Sequence, residues 1–319
     1  MMGAAVLVAP RRFEVRDAPL PQPGAGEVRV RLEGCGVCAS NVEPWEGQPW
    51  STYPTEAGGM GHEGWGVVDA LGEGVSDVSL GERVTMLSAH SFAPYDVAAV
   101  DQLVRLPAAL DGSAFPGEPL ACAMNIFRRS AIEPGQTVAI VGIGFLGAVL
   151  TKLASDAGAR VIAISRRPES LALATRYGAA ETIAMDDHWA IIERVRQLTG
   201  EALCERVIEA VGKQWPLDLA SAITGFGGRL IVAGYHQDGP RQVNMQDWNW
   251  KGIDVINAHE RDPRVNRRGL EEAVEAVASG RVDLAPLLTH HYPLGELDTA
   301  IAATRDKPLG FVKAVIDLG

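Results

Sequence analysis

Three short segments of this chain carry side chains that could hold a divalent metal. The first runs Gly34-Cys35-Gly36-Val37-Cys38-Ala39-Ser40-Asn41, the second Gly61-His62-Glu63-Gly64 and the third Gly117-Glu118-Pro119-Leu120-Ala121-Cys122. A thiolate, an imidazole and a carboxylate form a three-ligand set for catalytic zinc, with a fourth position left for water or substrate. The segments are scattered, and Cys35-x-x-Cys38 is also the spacing of a thiol redox pair. The metal reading therefore requires a fold that gathers distant segments.

A second kind of chemistry is written contiguously. Gly142-Ile143-Gly144-Phe145-Leu146-Gly147 lies between an apolar run (Thr137 to Val141) and a helical pattern. The first glycine permits a tight turn, the second lets the backbone approach a pyrophosphate, and the third allows close helix–strand packing. The helix N-terminus then attracts the phosphates. The next strand, RVIAIS, ends in Ser165-Arg166-Arg167 where an NAD site places a carboxylate for the ribose 2′-hydroxyl. Two guanidiniums and no carboxylate favour a 2′-phosphate, hence NADP(H) over NAD(H). A solvated basic loop is the alternative.

These segments need elements to carry them. The 319 residues suggest two domains. Up to about residue 115 the chain reads as short strands (4–8, 27–33, 65–71 and 82–87) separated by Pro and Gly turns. From Thr137 to GIDVINA strands and helices alternate, which makes a parallel sheet covered on both faces. GFVKAVIDL near the C-terminus reads as a final strand that rejoins the first domain.

Composition excludes several classes. With 29 Lys plus Arg against 40 Asp plus Glu the net charge is −11, which disfavours nucleic-acid binding. No apolar run reaches the length of a membrane span and no signal-peptide pattern opens the chain, so a cytoplasmic protein without membrane partners is expected. Four Cys cannot form a disulfide framework in a chain this long.

The order GVCASN, GMGHEGWG, GERV, GEPLACAMN and VGIGFLG resembles the zinc-containing medium-chain alcohol and polyol dehydrogenases over nearly the whole chain. The resemblance implies an α/β chain: a GroES-like, β-rich catalytic domain (1–118 and 260–319) and a Rossmann doubly wound parallel sheet (119–259), with the active site in the cleft between them. By position it implies Cys38, His62 and Glu118 as zinc ligands, with Glu63 beside the metal as a ligand or an outer carboxylate. It implies Ser40 as the hydroxyl that contacts substrate oxygen and starts a proton relay. Many members carry a relay His five residues after that Cys; here Glu43 stands there, as a base toward solvent, a substrate contact or a solvated carboxylate. Many also carry a four-Cys lobe for structural zinc after GERV, and this chain has no Cys there, so one zinc per chain is expected. A homodimer through the last Rossmann strand, near 251–258, is also implied.

The expected reaction is hydride transfer between NADP(H) and a secondary alcohol or ketone, with a polyol, sugar or cyclitol substrate. Aryl or aliphatic alcohol and aldehyde chemistry with the same metal, and an inactive NADP(H)-binding regulator, are the alternatives. Trp45, Trp50, Trp65, Trp248 and Trp250 are candidates for ring-face contact with a substrate or for ordinary packing. Cys35, Cys122 and Cys204 are expected to pack, and His259 is placed where Rossmann ligands gather.

Overall fold

The computed structural model describes all residues, Met1–Gly319. The chain divides into two compact units, Met1–Ala121 with Asp262–Gly319, and Cys122–Arg261.

The first unit opens with the antiparallel pair β1 (Met2–Ala9) and β2 (Arg12–Ala18). It continues through β3 (Glu27–Gly36), the short helix α1 (Val42–Glu46), β4 (Gly64–Leu71), β5 (Arg83–Met86), β6 (Tyr95–Ala99) and β7 (Leu103–Arg105). In β3 the residues Val28, Val30 and Leu32 alternate inward and pack with Val68, Val84, Met86 and Leu103, the period of a half-buried strand. At its end the alternation stops: Gly34, Cys35 and Gly36 are all buried, because here the strand enters the polar centre described below.

The helix α2 (Gly117–Ser130) runs from the first unit into the second. Strands β8 (Thr137–Val141), β9 (Arg160–Ser165), β10 (Glu181–Ala184), β11 (Cys204–Glu209), β12 (Thr224–Val232) and β13 (Asp254–Asn257) form one sheet in the order β10-β9-β8-β11-β12-β13, every pair parallel. Residues 138–141 and 161–164 are unbroken apolar runs with no exposed surface, as strands covered on both faces require. The crossovers are α3 (Phe145–Asp156), α4 (Pro168–Arg176), α5 (His188–Thr199), α6 (Gln214–Ile223) and α7 (Met245–Lys251). Helix α5 has both end signals: Asp187 Oδ1 accepts from Ala190 N at 2.7 Å, and Gly200 closes it with φ of 59°. The sheet reverses its winding between β8 and β11, so the crevice beyond the strand C-termini opens there.

The first unit resumes with α8 (Pro263–Ala278), β14 (Leu288–Pro293), α9 (Leu297–Asp306) and β15 (Lys313–Asp317). Strand β15 pairs antiparallel with β3, Val315 opposite Gly36, so the chain's end completes the sheet begun near its start. The seven-stranded sheet runs β14-β15-β3-β4-β5-β7, with β6 also paired to β3. No helix is long and apolar enough to cross a membrane.

Candidate active site

In the first unit the sulfur of Cys38, a ring nitrogen of His62 and a carboxylate oxygen of Glu63 lie within 4.8 Å of one another. Cys38 follows β3 and caps the single helical turn Ala39–Asn41; Ser40 N donates to its sulfur at 3.5 Å. Asn41 locks the turn, accepting from Cys38 N at 3.0 Å and donating to Met60 O at 2.9 Å. The same Met60 carbonyl lies 2.8 Å from His62 Nδ1. A carbonyl only accepts, so Nδ1 carries the proton and Nε2 is left as the ligating nitrogen. Met60 reaches this position in the left-handed region, with φ of 75°. Gly61 beside it is held so close to the 91–92 backbone that a Cβ would lie 2.3 Å from Phe92 N.

Glu63 is fully buried and faces Lys313 of β15, itself 5% exposed. Lys313 Nζ donates to Glu63 Oε1 at 2.9 Å and to Val37 O at 3.2 Å. It sits 2.6 Å from Glu63 Oε2, but no donor reaches that oxygen with hydrogen-bonding geometry. Gly36 makes room for the carboxylate, since a Cβ there would lie 1.9 Å from Oε2. Glu118 occupies the first turn of α2, whose start is pressed onto β5: a Cβ on Gly117 would lie 2.3 Å from Thr85 Oγ1. Glu118 is not part of the tight three-residue cluster, but its charge acts on both His62 and Lys313.

The electrostatics show what this centre lacks. Burial works against a charged imidazole, yet the bond to Cys38 and the charges of Cys38, Glu118 and Glu63 lift His62 to about 10. Lys313 is likewise raised: burial opposes its charge, and Glu63, Cys38 and Glu118 outweigh that. Such a buried, anion-rich pocket calls for a cation. A soft sulfur, an imidazole whose Nε2 faces it and a buried carboxylate oxygen with no hydrogen-bond donor fit zinc.

The second unit holds the coenzyme half. Gly142 turns with φ of 100°, and a Cβ on Gly147 would lie 2.0 Å from Gly142 O, so helix and turn touch. Gly144 caps α3 with open space where its Cβ would be and without a side-chain cap, leaving the first-turn N–H groups for a phosphate. Phe145 is buried and Leu146 half-buried, so both contribute backbone there. Ser165, buried, ends β9; Arg166 after it is exposed. Arg167 caps α4, and its guanidinium lies 3.7 Å from Glu169. Burial lowers its pKa.

Several sequence expectations change in detail. Trp45 is buried, donates to Asp298 Oδ1 at 2.7 Å and is flanked by Arg11 and Arg305. Trp65 is buried over Gly34, and Trp248 donates to Ser221 Oγ at 2.5 Å; these three are structural. Trp50 and Trp250 stay exposed. Glu43 is not a free loop carboxylate: it is half-buried in α1 and accepts from Gln48 Nε2 at 2.5 Å. Cys35 is fully buried, and burial pushes its thiol well up, which is packing rather than redox chemistry. Cys122 is half-buried, not a core residue. Sequence reasoning missed Asn41, Met60 and Lys313; only the sheet pairing of β15 with β3 reveals the last.

Two family models match. Residues 24–108 match the alcohol dehydrogenase GroES-like domain, and residues 146–279 match zinc-binding dehydrogenase. The chain belongs to the zinc-type medium-chain alcohol dehydrogenases. It is an enzyme of that class, an oxidoreductase. Among its relatives is 2-dehydro-3-deoxy-L-galactonate 5-dehydrogenase of Pseudoalteromonas atlantica, 27% identical over 99% of this chain and 98% of the relative. Sorbitol dehydrogenase of Halalkalibacterium halodurans is 27% identical over 92% of each. A crystal structure from Sinorhizobium meliloti, described as a zinc-binding dehydrogenase bound to NADP, superposes with a TM-score of 0.87 at 26% identity, covering 99% of both chains.

Proposed function

We propose that this enzyme is a zinc-dependent, NADP(H)-preferring dehydrogenase that interconverts a secondary alcohol and a ketone on a polyhydroxylated substrate such as a polyol or sugar acid. The observation that carries the metal reading is the convergence of Cys38, His62 and Glu63 within 4.8 Å around an unsatisfied buried carboxylate oxygen. Cys38, His62 and Glu118 are the proposed ligands. Glu63, whose carboxylate lies in the same cluster but also faces Lys313, is the alternative to Glu118 as the carboxylate ligand. One zinc is expected, since the stretch from Gly81 to Pro107, where a four-Cys lobe would stand, holds no Cys.

Bound zinc supplies a Lewis acid that lowers the pKa of a coordinated hydroxyl, and the nicotinamide supplies the hydride acceptor. The chain's own residues do the rest. Ser40 is placed on the Cys38 turn to take the substrate hydroxyl proton. Glu43, one helical turn further on and bonded to Gln48, receives it on the way to solvent. The amides at the start of α3 bind the pyrophosphate. Exposed Arg166 is the proposed partner of the 2′-phosphate, while Arg167 shares its charge with Glu169. The polyol or sugar-acid assignment is supported by the names of two relatives. A homodimer through β13 is supported by that strand's place at the sheet edge with Asp254, Val255 and Asn257 exposed.

Zinc content by elemental analysis tests the metal, and turnover on a panel of polyols, sugar acids, cyclitols and aryl alcohols with NADP and NAD tests the rest. About one zinc per chain and fastest NADP-linked turnover on a polyhydroxylated compound are expected. Full turnover in metal-free protein, or a clear NAD preference, overturns the corresponding part. Light scattering that shows only monomer removes the dimer.

A further inference from the structure

The loops that follow β11 and β12 are tied together by a polar chain, anchored on one buried carboxylate, that the reaction scheme above does not use. Glu209, the last residue of β11, is fully buried. Its Oε1 accepts from Val211 N at 2.7 Å and Gly212 N at 2.8 Å, closing the turn at 210–212. Its Oε2 lies 3.1 Å from Nε2 of His236, a residue of the loop after β12. The other ring nitrogen, Nδ1, is met by Arg241 Nε at 2.8 Å. Arginine has no acceptor, so Nδ1 must be the acceptor and Nε2 must carry the proton that Glu209 receives. The two contacts together require a neutral imidazole in one tautomer.

Further ties join the same two loops. Arg241 donates to Gly212 O at 2.9 Å, Lys213 pairs with Asp238 at 2.8 Å, and Gln214 and Gln242 exchange two bonds of 2.9 Å. The loops then bear on the coenzyme turn. A Cβ on Gly142 would lie 2.4 Å from Val211 Cγ2, and one on Gly234 would lie 2.2 Å from Gly212 N. At the solvent side Tyr235 stacks on His259, rings 5.5 Å apart and 14° from parallel, at the C-terminal ends of β12 and β13.

We infer that His236 is a positioning residue for the dinucleotide: it joins the 209–214 and 233–242 loops into one wall. That wall fixes Val211 against the coenzyme turn and Tyr235 against His259, beside the half of the crevice away from Ser165 and Arg166. The inference rests on the dinucleotide-binding reading of the second unit and deepens it. Because the wall lies on the β11–β13 side and the 2′-phosphate discrimination on the β9 side, loss of His236 weakens NADPH and NADH alike.

The test is fluorescence titration of the purified enzyme with each coenzyme, alongside steady-state kinetics and thermal melts. His236→Leu is expected to raise Kd and KM for both coenzymes about tenfold, the scale of a lost hydrogen bond to a buried charge, with kcat changed far less. His236→Gln, whose amide nitrogen donates and whose oxygen accepts as the two nitrogens of the neutral imidazole do, is expected to recover most of the loss. Arg241→Met should mimic His236→Leu, and the double variant should be no worse than either by more than about twofold, since both break one chain of bonds. A folded His236→Leu enzyme that binds both coenzymes within about twofold of wild type overturns the inference, as does a loss confined to NADPH or a lowered melting temperature with unchanged Kd. Should His236→Leu not fold, Arg241→Met decides by the same criteria. Wild-type enzyme that binds neither coenzyme overturns the dinucleotide reading itself.

Discussion

The metal half and the coenzyme half of this enzyme are built on opposite plans. The coenzyme turn is local: six consecutive residues between one strand and one helix, shaped by glycines at close approaches. The proposed metal centre is assembled from a distance. Cys38, His62 and Glu118 come from three segments, and Lys313, the counter-charge to Glu63, is 250 residues from its partner. A local site depends on backbone conformation; an assembled site depends on buried polar groups that satisfy one another across elements. The first kind tolerates side-chain change around it, whereas in the second each member's loss strands another.

That contrast can be broken most sharply at the metal. Cys38→Ser is expected to lose zinc and to reduce kcat/KM by about a thousandfold or more, the order of several kcal/mol of Lewis-acid stabilisation. A variant with normal zinc content and normal turnover refutes the ligand assignment. Next in size is Lys313→Met, which leaves a buried carboxylate uncompensated. In urea unfolding of the metal-free protein it should cost about 3–5 kcal/mol, and adding Glu63→Gln should restore much of it. A single-variant loss below about 1 kcal/mol would mean that the pair is not the support described here.

The coenzyme half should respond more mildly and selectively. Arg166→Ala is expected to lower kcat/KM with NADPH about tenfold, the worth of one charge-assisted contact, and to leave NADH unaffected. Ser165→Asp should move preference toward NADH through repulsion of the 2′-phosphate; equal effects on the two coenzymes would remove these residues from discrimination. The smallest effect is a labelling pattern. Burial pushes Cys204 up to about 12 and Cys35 well up, so both should resist iodoacetamide at pH 8 in the folded protein. Cys38 should react once zinc is stripped and be protected when it is restored. Rapid labelling of Cys35 in folded protein would contradict its packing role.

Much of the fold is legible in the sequence because its signals are local. The apolar runs of β8 and β9, the glycines of the coenzyme turn and the alternation in β3 each announce their element within ten residues. Where the sequence misleads, the cause is tertiary. MQDWNWK has no apolar stripe, yet it forms α7 because Asn244 caps it and Trp248 packs on the core. Gly117-Glu118-Pro119 starts α2, where proline is tolerated in the first turn. Trp65 looks available to substrate until Gly34 is seen to leave exactly the space its ring fills, so that a Cβ there would lie 2.4 Å from the ring. In FVKAVIDL, Lys313 reads as a strand's outward residue; only the pairing of β15 with β3 turns it onto Glu63. Likewise Asn41 follows Ser40 without any signal that its amide joins two distant loops.

The ammonium of Lys313 also sets a condition of electroneutrality. With the Cys38 thiolate, Glu63 and Glu118 counted against one lysine, and His62 neutral as a ligand, the centre carries two negative charges in excess, which a divalent ion would balance. A monovalent ion such as Cu(I) would leave a net charge in a buried site, where it is poorly solvated. On the proposed ligand set, ion valence would thus be selected by a residue that need never touch the metal.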